Sequence, residues 1–324
     1  MDSAPLSRRI ACMSDLSPQL RTLRDFYYKT ALKLPAEQYY VRAEKLIDHP
    51  AFFTLEHLKQ HLNNPMLMPS YLALMYQGKR VDLQPAVGHK VIQAAEVPFL
   101  NKGILEEYLA HGASLVLEGV DILQADINAM CAAIDQPHEC VVSNAVAFFS
   151  QRGNEAYRGH LDLDDVLVVH LGGRKKWRIY ERQNPRRTEM FDLPPDKMGP
   201  LVAEFEMHPG DALYMRSKTP HLVETTGDYS LHMSFDVCDR TISPETALHL
   251  LMAEYDRDAS PSYTPVSGVM DKLIAHAGAS AYQNKVAELQ AKQKANYQRA
   301  RAMMGSNRVS ALDRWIVQES RGKK

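Results

Sequence analysis

The chain has 324 residues, 45% of them hydrophobic, with four cysteines and a formal net charge of -1. That is enough for one sizeable core with an accessory region, and the near-neutral balance offers no global field to draw in nucleic acid or an anionic membrane. Cys12, Cys131, Cys140 and Cys238 show no C-x-x-C spacing, the opening MDSAPLSRRIACMSDL has no apolar signal core, and no run nears the ~18 apolar residues that cross a bilayer, so a cytoplasmic, reducing location is expected.

In chain order, the first hundred residues mix helical patches with turns rich in Pro and Gly, and hold no catalytic spacing. The clearest patch is Thr54 to Leu62 (TLEHLKQHL). Residues 1–113 are expected to form a mixed helical and α/β scaffold or lid. From Ser114 the pattern changes: SLVLEGV reads as a short strand and turn, and Asp121 to Ile134 as an amphipathic helix capped by Asp121. Segments rich in Val, Leu, Ile and aromatics follow at Val141 to Ser150, Asp165 to Leu171, Lys175 to Tyr180, Leu213 to Met215, His221 to Thr225 and Tyr229 to Val237, separated by Gly, Pro and Asp turns. Short strands at this spacing predict a mainly β sandwich or barrel over 114–240.

After Arg240 the character becomes helical, with Ser243 as a cap and Pro244 in the first turn. Further helices are expected at Val266 to His276, Ala281 to Met304 and Val309 to Val317 within a helical region 241–324. The helix from Ala281 carries Val286, Leu289, Tyr297 and Met304 on an interrupted apolar stripe, which must be buried on the barrel or against a second copy in a homodimer. From Lys285 to Lys324 there are ten Lys or Arg against three acids. This is the composition of a solvated helical face, or alternatively of an anionic docking site.

His160 and Asp162 are two residues apart, so on a strand both project from one face while Leu161 turns away. His221 lies downstream in PGDALYMRSKTPH, a strand, turn and strand module in which Pro220 fixes the backbone just before it. A lone histidine is more often structural than a ligand, and the chain has thirteen. Setting distinguishes these two. Two imidazoles and a carboxylate on one face of an octahedral metal leave the other positions open, which suits ferrous iron.

Alternation supplies a second set. Lys175, Trp177 and Ile179 share a face, so Lys175 is the cation expected to point inward, where a carboxylate would offset its desolvation. Ser230, His232, Ser234 and Asp236 share another face that would line a cavity, with Ser234 placed to hydrogen-bond a bound cosubstrate. His232 reads as a residue behind the metal or facing substrate. His170 and His208 read as structural. Asp164 and Asp165 read either as attractors of a cationic substrate or as surface charge.

The segments GHLDLDDVLVVHLGGRKKWRIY and HPGDALYMRSKTPHLVETTGDYSLHMSF resemble the JmjC or cupin-like oxygenases, particularly the bacterial ribosomal-protein hydroxylases, across about Ser114 to Asp239. The resemblance implies a double-stranded β-helix that uses Fe(II), 2-oxoglutarate and dioxygen to hydroxylate a side chain. It makes His160, Asp162 and His221 the iron ligands, Lys175 the partner of the 2-oxoglutarate C5 carboxylate, and Ser150 a further cosubstrate contact. Asp162 stands where related halogenases carry a small residue, so the resemblance implies hydroxylation of a peptide, protein or amino-acid substrate. It also implies a helical dimerisation region after Arg240. Two other readings fit the same residues: a non-catalytic cupin-like binding protein, and a metal cupin enzyme that needs no 2-oxoglutarate.

Overall fold

Two long strands, β8 (Asp165–Tyr180) and β11 (His221–Asp239), organise the chain. The computed structural model describes residues 16–76, 79–138, 141–151, 158–182, 193–239 and 280–305, with 249, 274, 275 and 278. The other strands are β1 (Tyr40–Ala43), β2 (Leu72–Tyr76), β3 (Lys79–Arg80), β4 (Val87–Ile92), β5 (Ala95–Leu100), β6 (Ser114–Leu117), β7 (Val141–Gln151), β9 (Leu201–Met207) and β10 (Ala212–Met215). The helices are α1 (Pro18–Lys29), α2 (Leu55–Asn63), α3 (Lys102–Ala110), α4 (Val120–Leu123), α5 (Ala125–Asp135) and α6 (Ser280–Gly305).

The main sheet runs β1-β10-β8-β11-β7-β6-β2-β3, with β9 on the far half of β8, and every pairing is antiparallel. Strands β1 to β3, from the first hundred residues, thus extend the sheet built by the segments after Ser114. β4 and β5 form a separate hairpin.

The expected breaks at Gly172–Arg174 and at Thr226–Asp228 are irregularities inside continuous strands. The β8–β11 register shifts between Thr225 and Ser230 and again between Leu231 and His232. Gly173 sits at φ +67°, and a Cβ there would fall 1.9 Å from the Tyr229 carbonyl oxygen, so only glycine fits. The local kink exchanges the faces of β8. Val166 and Val168 point inward before it, and Lys175 and Trp177 after it.

Two cores follow from this alternation. On one face of the sheet, Leu20, Leu23 and Tyr27 of α1 and Ile127, Met130 and Ile134 of α5 pack on Leu115, Ala145, Leu167, Met233 and Phe235. Each buried Leu, Ile, Met or Phe among them contributes ~1.5–3 kcal/mol by leaving water. On the other face a smaller group, Val166, Val168, Trp177, Ile179, Leu213, Met215 and Val223, lines the inside of the fold.

Local readings are refined in three places. Thr54 is the N-cap of α2 and exchanges hydrogen bonds with His57 in a capping box. The helix expected from Asp121 is broken at Gln124, whose backbone is extended, and Gly119 stands at the start of α4. Asp121 is therefore no cap. It is buried and accepts from Ala145 N at 3.1 Å and Arg301 Nη1 at 2.7 Å. The helix expected over 281–304 is α6, which packs back on α5 and buries Tyr282 and Arg301. The helices expected from Ser243, over 266–276 and over 309–317 fall largely outside the described residues, as does the basic end. Among the described residues no helix is long and apolar enough to cross a membrane.

Candidate metal centre and cavity

His160 and His221 come together through the backbone before their side chains are considered. Each donates its N–H to the other's carbonyl, at 3.1 and 2.9 Å, forming an isolated antiparallel bridge at the mouth of β11. Directly opposed residues carry their side chains on the same side, so the rings stand with centroids 4.2 Å apart. Two residues beyond His160, Asp162 turns to the same side, and its carbonyl accepts from Lys218 N at 2.7 Å, which ties the two loops together again.

The three side chains converge without bonding one another. Asp162 Oδ1 lies 3.8 Å from His160 Nε2 and Oδ2 lies 3.7 Å from His221 Nε2, both too long for hydrogen bonds. One donor atom from each falls within 4.8 Å of the others. His160 Nδ1 sits 2.8 Å from the Arg158 carbonyl and His221 Nδ1 sits 3.0 Å from the Thr219 carbonyl. A carbonyl only accepts, so each Nδ1 carries the hydrogen and each Nε2 presents a lone pair to the common point. Burial, and to a lesser degree the neighbouring His160, lowers the His221 pKa to about 4 and holds the ring neutral. The donor set fits a divalent transition metal.

The point lies in a cavity of about 250 Å³. Trp177 lies nearly parallel to His221, with centroids 5.7 Å apart and planes at 21°, and walls that ring from water. Val146, Val166, Val168, Met215 and Val223 supply apolar lining. Lys175 lines the same cavity and is only 2% exposed, as expected from its place beside Trp177 and Ile179; its Nζ lies 3.5 Å from His232 Nδ1. Ser234 also lines the cavity and donates to Asp236 Oδ1 at 2.9 Å. Ser150 is fully buried opposite Ser230 but lies outside the lining, and its Oγ has no hydrogen-bond partner among the described residues.

Further residues complete the cavity, among them Asp164, read from the sequence as either an attractor of a cationic substrate or surface charge, and Asp236 of the polar strand face. Glu118, Asp164 and Asp236 make one side of it acidic, and Phe148 stacks on His232. Burial raises the Asp236 pKa to about 7, helped by the nearby charges of Asp162, Glu118 and Asp164. The sequence showed Asp236 on the polar face of its strand. Glu118 and Phe148 carried no comparable signal, since an acid after a short strand and a Phe within one are ordinary. Asp165 is structural: it accepts from Ser217 N at 2.8 Å and from the Tyr214 hydroxyl. His170 is fully buried, its Nε2 3.1 Å from the Gly173 carbonyl, and it sits outside the cavity lining. Half-exposed His208 lies 3.4 Å from Glu206.

Residues 123–244 match the model of the JmjC domain. That stretch is similar to the JmjC domain. The chain is 30% identical over 106 residues to Ribosomal oxygenase 2 of Rattus norvegicus, covering 31% of this chain and 23% of that protein. It is 24% identical over 135 residues to the bifunctional lysine-specific demethylase and histidyl-hydroxylase NO66 of Drosophila willistoni, covering 40% and 18% respectively. The match thus spans less than a quarter of either relative. Among solved structures, YcfD, a ribosomal oxygenase from Escherichia coli, superposes with a TM-score of 0.50 at 16% identity over 81% of this chain and 68% of that one. The same protein in complex with cobalt and succinic acid gives 0.51 at 15% identity, over 80% and 69%. These likenesses establish the fold, a mainly β JmjC or cupin-like core with helices at both ends, as the resemblance implies.

Proposed function

We propose that this chain is an Fe(II)- and 2-oxoglutarate-dependent oxygenase that hydroxylates a side chain of a peptide or protein. One observation carries the reading: two imidazoles with their Nδ1 atoms pinned, one carboxylate between them, and a buried lysine share one small cavity. Support comes from the names of the relatives and from the cobalt and succinic acid held by the Escherichia coli protein. When bound, iron and 2-oxoglutarate would let dioxygen act as the oxidant, one of its oxygen atoms turning C–H into C–OH and the other entering the succinate formed as the 2-oxo acid loses CO2.

The chain's own residues set the conditions. His160, Asp162 and His221 would hold the metal from one side and leave the other side open. Lys175 would fix the far carboxylate of the cosubstrate, with Ser234 as a hydroxyl contact, whereas Ser150, outside the cavity lining, is not placed to serve as one. Trp177 and the valine lining exclude water, which strengthens each electrostatic contact inside. Glu118, Asp164 and Asp236 flank the side on which a substrate side chain would sit. A homodimer through the helical tail and a cytoplasmic setting belong to the same reading, and the mass of the purified chain in solution tests the first.

The deciding experiment supplies the purified protein with Fe(II), 2-oxoglutarate and air, and screens peptides and amino acids. Succinate release matched by a gain of one oxygen in the substrate is the expected result. Turnover that continues without 2-oxoglutarate would point to a different metal cupin reaction, and failure to bind metal would leave a binding protein.

A further inference from the structure

The ring of His232 is held on three sides. It lies opposite Phe148 across the β7–β11 pair and stacks on it, with centroids 4.7 Å apart and planes at 2°. The edge of Trp177 meets it at 6.0 Å. Its Nδ1 lies 3.5 Å from Lys175 Nζ. An ammonium group only donates, so Nδ1 must be the acceptor and the ring hydrogen must sit on Nε2. Burial and the neighbouring Lys175 charge hold the imidazole neutral, with its pKa well below the ordinary value. Nε2 has no partner among the described residues, and the ring lines the cavity. The neutral tautomer thus offers an N–H there beside the lysine ammonium.

We infer that His232 is a second cosubstrate-binding residue, accepting from Lys175 through Nδ1 and donating through Nε2–H to the same distal carboxylate. This rests on the oxygenase reading. Two donors from neighbouring strands suit the two oxygens of one carboxylate, and fixing the ammonium by a third bond lowers the freedom lost when the anion arrives. A lysine alone is a flexible point charge. The Phe148 stack orients the imidazole, and β11 fixes its height above His221.

The test measures binding rather than turnover, in the full chain loaded with Mn(II) under anaerobic conditions. His232→Phe keeps a flat ring against Phe148 but removes both nitrogens. It is expected to weaken 2-oxoglutarate binding roughly ten- to hundredfold, the effect of losing a hydrogen bond to a charged group. Affinity for Mn(II), and for pyruvate, which has the same head without the distal carboxylate, should stay as in the unaltered protein. His232→Gln restores an acceptor and a donor and should recover part of the loss. The inference is overturned if the Phe variant binds 2-oxoglutarate as the unaltered chain does, or if it loses pyruvate by the same factor. Failure of the unaltered Mn(II)-loaded chain to bind 2-oxoglutarate would instead sink the oxygenase reading and this inference with it.

Discussion

On the helix-covered face of β7, Arg301 of α6 bonds to Asp121, lies 3.3 Å from Asp135 and donates to the Ser143 carbonyl, so the buried charges answer one another. In the cavity on the opposite side of the sheet, His160, Asp162 and His221 approach to 3.7–3.8 Å and stop short of bonding, while Asp236 lies near other acids. The first takes charge out of water at a cost of several kcal/mol per ion and recovers it from within the chain. The second holds a neutral imidazole and a part-exposed carboxylate, and leaves donor atoms aimed at a shared point. Satisfaction, more than burial, separates a structural cluster from a functional one here.

The largest effect should come from Asp162→Ala. Substrate-dependent succinate formation should fall at least a hundredfold, with metal affinity reduced to match, while the thermal midpoint without metal changes little because the carboxylate is part-exposed and makes no hydrogen bond to either ring. Equal activity in that variant would remove the contrast drawn above. Next comes Arg301→Ala, expected to cost about 3–5 kcal/mol in urea unfolding, because Asp121 is left buried without its partner. Combining Arg301→Met with Asp121→Asn should regain most of that stability; a double variant as weak as the single would mean that the cluster does more than neutralise itself.

The smallest and most selective effect concerns Asp236. Its pKa stands at about 7 in the fold against an ordinary 3.8, so the folded state retains a proton that the unfolded chain releases. Its contribution to stability is therefore fully present below about pH 3.8 and is lost as the pH rises to about 7. Asp236→Asn should match the unaltered protein near pH 4 and exceed its stability above pH 7, as followed by denaturant unfolding across that range. An advantage independent of pH would show that the side chain's packing, and not its charge, is what matters.

What the sequence made legible was local and periodic. The His160–Asp162 spacing and the inward face of Lys175 were read from a repeat of two; Lys175 lands in the cavity from its strand, whereas His160 holds only an isolated bridge and Asp162 stands outside any strand, the two converging all the same. Long-range partners were hidden. An acid before an apolar helix has the same signature whether it caps the helix or meets an arginine 180 residues away, as Asp121 does. Gly172–Gly173 and Thr226–Gly227 read as ends of strands, because the carbonyl approach that demands glycine at 173 comes from Tyr229 on another strand. The short edge strands β1 and β3 owe their form to neighbours already in the sheet.

The kink at Gly173 also sets how this protein can change. Because Lys175 reaches the cavity only after the faces of β8 have exchanged, removing one residue between Leu171 and Lys175 would direct Lys176 and Arg178 inward and turn Trp177 out to solvent. A change of two residues would restore the original order. Lineages of this chain should therefore vary that segment in even steps, and a designer who wishes to graft a new pocket can lengthen it by pairs without losing the cation.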